Sequence, residues 1–427
     1  MKYRLLIDSI GDMSLSLFLA QRLSLKSSRD NGSTGILIAI IGITLSVIVM
    51  IVSISVMMGF RHEIRQKVIG FDSQISIGVK TGADTDASIL ISNDDLKTTR
   101  EILPSSASLS LSVRQPAIIK TPENFSGSII KGVDNNYDWS FLRSNLVEGI
   151  IPDYSSDSTM YHIMVSRTLA NTLELELGQK VDTYFLGNGA YRARRLKIAG
   201  IYDTHFSEYD RNMVFGSLSM LQQVASVPDT CATIAEINGL PDDETIDNLS
   251  EKLSEAYLDR LYAGSTDRVY SIVNIHDTAA LYFNWLALLD TNVKVILTLM
   301  SLLTILTLIS SLFILILRRV SMIGILKAIG ASNRLVRSTF ILLAVRILAR
   351  GLLFGNIIGI GFLYIQKTTR LIPLNPDSYY LDHVPVMIDW TSILLLNAGI
   401  IVLSFIVLLL PSAIVTTIPP SKAINYE

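Results

Sequence analysis

Two kinds of patterning alternate along the chain: long apolar runs without charge, and short stretches in which apolar and polar residues take turns. Asn31 to Phe60 carries no charge, Val295 to Leu317 lies between Lys294 and Arg318, and Thr391 to Leu410 carries none. Each is long enough for a helix across a bilayer, which takes about 20 apolar residues. A fourth run, Gly351 to Gln366, is uncharged but short, and reaches full span only by including Arg346 and Arg350. The first run exceeds the apolar core of a cleaved signal peptide, about 7–15 residues. It is therefore predicted as a retained helix.

Between the first two runs, residues 61 to 290 read as one α+β domain. "SQISIGV" (73–79) alternates as a strand, Asp94 to Ile102 as a helix, and "SLSLSVRQPAIIK" (108–120) as a strand. Near the far end "CATIAEI" (231–237) is predicted as a strand, Asp242 to Tyr262 as an amphipathic helix and "RVYSIVNI" (268–275) as a strand. A β-α-β unit at either end predicts a ferredoxin-like split sheet, with residues about 125–225 as an inserted β-rich subdomain. In that insertion "QKVDTYFL" and "YRARRLKIAGIY" flank a Gly-Asn-Gly turn and read as a hairpin. Arg192, Arg194 and Arg195 give its return strand a basic face, read either as a solvated hairpin or as a contact surface.

Composition agrees with a membrane protein. Of 427 residues, 49% are hydrophobic and only 17% charged. A net charge of −2 offers nothing to nucleic acid, a single cysteine excludes an intramolecular disulfide, and the five histidines show no metal-ligand spacing. Residues 61–290 hold 31 of the 38 acidic and 20 of the 36 basic side chains, a net of −11. Five Lys/Arg fall in residues 1–34 and five more in 318–337, which places both regions and the C-terminus in the cytoplasm. Arg61, Arg65 and Lys67 run against that rule, from which a long translocated domain is largely exempt. The dipeptide Gly-Lys is absent, so there is no P-loop, and H-E-x-x-H, G-x-S-x-G and C-x-x-C are absent too. No catalysis and no cofactor are expected in this chain. Glu208/Asp210 and Asp242/Asp243/Glu244 read as turn or helix-start chemistry.

The stretch "RRVSMIGILKAIGASNRLVR" (318–337) is basic without an acidic residue. A helix from Val320 to Ile329 puts Met322, Ile325, Leu326 and Ile329 on one face, and Gly330 supplies a stop. Such a helix either lies on the membrane surface or docks into a groove on a partner. "IGILKAIGAS" (323–332), after a span ending in Arg-Arg, resembles the coupling loop of ABC transporter permeases of the MacB/FtsX/LolC-LolE superfamily. "PSAIVTTIPPSKAINYE" (411–427) is similar to that superfamily's closing pattern. "MMGFRHEIRQKVIGFDSQISI" (57–77), "SIIKGVD" (128–134), "LVEG" (146–149), "VSRTLANTLELELGQKVDTYF" (165–185) and "IAGIYDTHFSEYDRNMVFGSLSMLQQV" (198–224) resemble the lipoprotein-releasing LolC/LolE branch, in the same order.

The resemblance implies a permease subunit in the bacterial inner membrane. It pairs with a second permease chain (homodimer or related heterodimer), binds two copies of an ABC ATPase, and extracts lipoprotein from the outer leaflet. ATP and magnesium then belong to the ATPase. The layout is a cytoplasmic amphipathic segment 1–34, transmembrane helices 35–60, 291–317, 338–366 and 391–410, and a periplasmic domain 61–290. A cytoplasmic coupling loop 318–337, a periplasmic loop 367–390 and a cytoplasmic tail 411–427 complete it. Met322, Ile323, Ile325, Leu326, Lys327, Ile329 and Gly330 are expected to couple to the ATPase. Met50, Val56, Met57 and Met58, with Phe283, Trp285 and Leu289, offer apolar and aromatic surface for acyl chains or for ordinary interfacial anchoring. Arg192, Arg194 and Arg195 stand where the family's chaperone-gripping loop projects, though "GNGAYRARR" is short and lacks proline. Arg346 and Arg350 either snorkel to headgroups or contact a partner subunit, along with membrane lipids. Two other functions are carried: an FtsX-like mechanotransmission permease controlling a cell-wall hydrolase, and a MacB-like exporter of peptides or small molecules.

Overall fold

The computed structural model describes residues 33–80, 91–92, 94–134, 136–187 and 190–414. The expected segment 1–34 and tail 411–427 lie almost wholly outside these residues, as does the hairpin tip at 188–189. In chain order the elements begin with α1 (Ser33–Phe71), β1 (Ile75–Val79), β2 (Ile91–Ser92), α2 (Lys97–Ile102), β3 (Ser108–Lys120) and β4 (Phe125–Val133). There follow α3 (Ser140–Ser144), β5 (Leu146–Gly149), β6 (His162–Ser166), α4 (Arg167–Leu173), β7 (Lys180–Gly187) and β8 (Ala190–Tyr202). Next come α5 (Ser207–Asn212), β9 (Met213–Ser217), α6 (Leu218–Ala225), β10 (Cys231–Ala232), β11 (Ile234–Asn238), α7 (Asp243–Tyr262) and β12 (Tyr270–Asn274). The chain closes with α8 (Ile275–Thr278), α9 (Ala280–Arg318), α10 (Val320–Ala328), α11 (Asn333–Thr369), α12 (Pro376–Tyr379) and α13 (Trp390–Ile414).

Two compact units result. One holds 61–286 and 373–383, the other the apolar helices. In the first, the strand order β12-β1-β11-β3 is antiparallel throughout. With α2 and α7 as the crossovers, this is the ferredoxin-like arrangement that the two β-α-β units predict. The helices meet where the Thr99 and Tyr257 hydroxyls share a hydrogen bond of 2.8 Å.

The insertion is more integrated than a separate subdomain. β3 is 13 residues long, about 43 Å at roughly 3.3 Å per residue. Its first residues pair with β11, Ser112 to Lys120 pair with β4, and Ala117 to Lys120 also pair with β7. From β4 the pairing runs through β9, β6, β8 and β7 back to β3, a closed ring of six strands. Ala117, Ile119, Phe185, Leu196 and Ile198 fill a core that α4 and α6 cover with Leu169, Leu173 and Leu221. Closure leaves these strands without the exposed edge an open sheet would carry.

Local chemistry moved some boundaries. The predicted strand 231–237 is two pieces: β10 pairs with β2 in a separate small sheet, while β11 joins the main one. The helix expected from Asp94 starts at Lys97, because the Asp95 carboxylate accepts from the Ser92 amide and hydroxyl and holds a turn there. Asp242 caps α7, accepting from the Thr245 amide at 2.7 Å, as helix-start chemistry requires. Asp210 lies in the first turn of α5 and serves that helix start from a buried position. It accepts from the Thr204 hydroxyl and from the Thr204 and Phe206 amides.

Among the described residues four stretches are long and apolar enough to cross a membrane: Gly35–Phe71, Ala280–Arg318, Asn333–Thr369 and Trp390–Leu408. α11 carries glycines four apart at 351, 355 and 359, and α1 lies directly on them. A Cβ at Gly351 would stand 2.5 Å from the Ile43 side chain, and one at Gly355 2.6 Å from that of Val47. Small residues let helix backbones approach closely where lipid removes the hydrophobic drive to associate. Asn356 of α11 and Asn397 of α13 exchange side-chain hydrogen bonds of 2.8 and 2.9 Å.

Candidate functional site

The stretch between α9 and α11 folds as the short helix α10. Ile325 is 50% and Ile329 79% exposed, while Met322, Leu326 and Lys327 are half-buried. Gly330 takes φ +98°, a left-handed conformation that glycine adopts without a steric penalty, and so ends the helix. Ser332 then caps α11, accepting from the Leu335 amide at 3.1 Å. A basic segment thus presents two large aliphatic side chains to the outside. Ile323 is a correction to the expected contact set. It is fully buried with Leu312, Val336 and Phe340 in the helical core, so it anchors α10 rather than offering surface.

The expected acyl-chain set divides. Met57, Met58 and Val56 of α1 are half-buried. Met50 is fully buried, with the Ser301 hydroxyl 3.7 Å from its sulfur, and offers no surface in this chain. Phe283 packs edge-on against His276 at 4.6 Å, and Trp285 edge-on against Tyr380 at 6.0 Å. Leu289 is half-buried further along α9.

The three arginines of the hairpin do not make one face. Side chains alternate along β8, so Arg192 and Arg194 fall on one side and Arg195 on the other. Arg192 turns back to α6 and donates to the carbonyls of Gln223 (3.1 Å) and Val224 (2.6 Å), the unsatisfied acceptors at that helix's end. Arg194 donates to the Ala193 carbonyl at 2.9 Å, and Arg195 faces Asp182 across the strand pair at 3.6 Å. Arg346 is half-buried and Arg350 exposed.

Sequence reasoning missed the most heavily buried polar feature of the α+β unit. Arg114 of β3 and Lys131 of β4 are directly opposite each other, an arrangement that like charges disfavour. Glu236 of β11 resolves it: one carboxylate oxygen is 2.8 Å from Lys131 Nζ, and the other is 3.5 Å from Arg114 and accepts from the Ser112 hydroxyl at 2.8 Å. Arg114 also meets Asp72 at 2.7 Å, and Tyr209 donates to the same aspartate. Lys131 and Glu236 are fully buried. Burial works to raise the Glu236 carboxyl, but the charges of Lys131 and Arg114 outweigh it and hold the group below the usual carboxylate value. Lys131 donates as well to the carbonyl of Phe71, the last residue of α1, at 2.9 Å. A cation at a helix C-terminus is favourable there, so the cluster pins the end of α1 to the sheet. The signal in the sequence was a charge set inside an apolar strand, Lys131 in "SIIKGV" and Glu236 in "IAEIN". Among the described residues no group of His, Cys, Asp and Glu converges as a metal site.

Comparison with known proteins follows the same division. Residues 36–256, just over half of the chain, match the family model described as MacB-like periplasmic core domain. Residues 294–420 match the FtsX-like permease C-terminal model. The chain is 21% identical over 424 residues to the lipoprotein-releasing system transmembrane protein LolC of Xylella fastidiosa, covering 94% of this chain and 97% of that one. It is 23% identical over 428 residues to the protein of the same name from Neisseria meningitidis, with the same coverage. Among solved structures, the periplasmic region of MacB from Actinobacillus actinomycetemcomitans is similar at 15% identity and a TM-score of 0.33, over 51% of this chain and 95% of that one. With a membrane-helix part and a large periplasmic part each matched in its own place, the chain belongs to the MacB/FtsX/LolC family of ABC transporter permeases.

Proposed function

We propose that this chain is the permease subunit of a lipoprotein-releasing transporter of the bacterial inner membrane. The observation that carries this reading is the end-to-end match to two relatives named for lipoprotein release, covering 94% of this chain and 97% of each of theirs. In this reading the chain itself catalyses nothing. Two copies of a separate ATPase, with their ATP and magnesium, drive it, and a second permease chain completes the membrane part. The termini and α10 face the cytoplasm and the α+β unit the periplasm, which accords with five basic residues in 318–337.

The exposed Ile325 and Ile329, with Met322 and Leu326 beside them, form the docking face for the ATPase, in the manner of a short helix laid in a groove. Met57, Met58 and Val56 of α1, with Leu289 of α9, contribute apolar surface for acyl chains. Arg195 and the hairpin remain the contact proposed for a periplasmic lipoprotein chaperone, with Arg192 and Arg194 holding its shape.

Co-expression with the ATPase, purification from membranes and mass spectrometry of what accompanies the chain tests this reading. Triacylated lipoprotein in the purified complex, lost when ATP is hydrolysed, is the expected result. Recovery of a cell-wall hydrolase or its activator in place of lipoprotein would overturn it. Ile325→Asp is expected to release the ATPase while the permease stays folded in the membrane. Retention of a stoichiometric complex by that variant would remove α10 as the docking helix.

A further inference from the structure

Residues 373–383, which lie in sequence between α11 and α13, group with the α+β unit, while 287–372 and 384 onward group with the helices. The segment is a closed loop. Pro373 and His383 bridge, and the Leu374 amide donates to the Asp382 carbonyl at 2.8 Å. Its hold on the rest of the unit has two parts. Tyr380 stands in an aromatic socket, edge-on to Tyr282 (5.1 Å), Phe206 (5.5 Å) and Trp285 (6.0 Å), and its carbonyl accepts from Lys67 Nζ at 3.0 Å. Around the socket lie polar contacts: Arg211 to Asp377 at 2.8 Å, and His205 between Asp203 (3.0 Å) and Asp382 (3.7 Å). His383 pairs with the other oxygen of Asp382.

Two residues of this contact, His205 and Tyr380, take positive φ (53° and 60°) without being glycine. Tyr380 takes it as the residue that ends α12, and His205 takes it in a turn that its own amide closes on the Asp203 carboxylate, so both ends of the contact are fixed by local turns. We propose that segment 373–383 is a releasable clasp, seated by Tyr380 in its aromatic socket and gated by the histidine and carboxylate groups around His205 and Asp382. The clasp depends on contacts within this chain alone and stands independently of the cargo.

The charges explain the gating. α1 brings Glu63 and Lys67, α4 Arg167, the loop after β8 Asp203 and His205, α5 Glu208, Asp210 and Arg211, and the segment Asp377, Asp382 and His383. Burial pushes Asp210 up to about 6, so it carries only part of a charge near that pH; with neutral histidines the other five acids face three bases, and a proton on His205 relieves an excess of negative charge. The hydrogen bond to Asp203, helped by the charges of Asp203 and Asp382, outweighs burial and holds His205 above its ordinary value of 6.5. Burial works to raise Asp382, but the hydrogen bond and charge of His383 and the charge of His205 hold it low. Asp203 stays beside His205 whether or not the segment is docked, so what docking adds is the Asp382 charge 3.7 Å away, and that charge raises the docked histidine. Its contribution is complete below the undocked value and disappears as pH rises through the docked one. The clasp tightens in mild acid and loosens in mild base.

Leu381, 3% exposed, reports opening. In full-length protein in nanodiscs, with Cys231 replaced by serine, Leu381→Cys is labelled with a maleimide, and its rate is divided by that of Ser378→Cys at the same pH. The protection ratio is expected to fall about two- to five-fold from pH 6 to pH 8.5, the range for a half-exposed ion pair. His205→Gln should flatten this dependence, and Tyr380→Ala should remove protection at both pH values. Labelling at 381 as fast as at 378 throughout would overturn the clasp. A ratio constant with pH, or a pH response that survives His205→Gln, would overturn its gating. No ATPase or lipoprotein enters the assay, so it stands or falls apart from the proposed transport role.

Discussion

Replacing Glu236 with leucine removes the carboxylate that Lys131 and Arg114 share. Lys131 is fully buried, so its ammonium would be left with the Phe71 carbonyl but no counter-charge. Removing one member of a buried pair costs about 3–5 kcal/mol. At about 1.36 kcal/mol per factor of ten, that is a roughly 10²- to 10⁴-fold increase in opening. Hydrogen exchange with mass spectrometry on the full chain in nanodiscs reads this as faster exchange in peptides covering β3, β4 and β11. The double variant Lys131→Met/Glu236→Leu removes both charges together. It should recover a large part of the loss, because an apolar pair of similar volume often matches a buried ion pair. Acid supplies a further check. A carboxyl with a lowered folded pKa adds stability above its unfolded value, about 4.3, and loses it as pH falls through the folded value. Wild-type protein should therefore lose more stability than the double variant as pH falls below that unfolded value, while the low-titrating Asp203 and Asp382 contribute equally to both. Less than a tenfold change in exchange for Glu236→Leu, or a double variant no better than the single one, would refute the reasoning.

Two further outcomes test other parts of the structure. Gly355→Leu must displace Val47, whose side chain would lie 2.6 Å from the new Cβ, so α1 and α11 should separate and thermal stability in detergent should fall by several degrees; an unchanged melting profile would deny the close crossing. Arg192→Ala removes two hydrogen bonds to the end of α6, each about 1 kcal/mol or less at this exposed site, and should speed exchange at the C-terminus of α6 while Arg195→Ala does not.

Much of the architecture is local in origin and was legible along the chain. A bilayer demands length and absence of charge, and both are properties of consecutive residues, so three spans stand out in the sequence, and the fourth does once Arg346 and Arg350 are admitted. Alternation in 108–120 and the turn at Gly187 to Gly189 announced β3 and the β7–β8 hairpin for the same reason. α10 was readable from its spacing and the glycine that ends it, but not the direction in which it is rolled. That roll buries Ile323 and exposes Ile325.

What the chain does not spell out is partnership between distant residues. β3 serves two sheets because β4, β7 and β11 meet it along different parts of its length, and pairing choice is not encoded in alternation. Arg192 looked like surface charge until α6 was set beside it, and Met50 looked like open apolar surface until α9 covered it. The cluster of Asp72, Arg114, Lys131 and Glu236 joins positions up to 164 residues apart, and segment 373–383 joins the α+β unit although both of its neighbours in sequence belong to the helices. A side chain's surroundings depend on which strands and helices pack together, and burial and charge compensation arise only once they have.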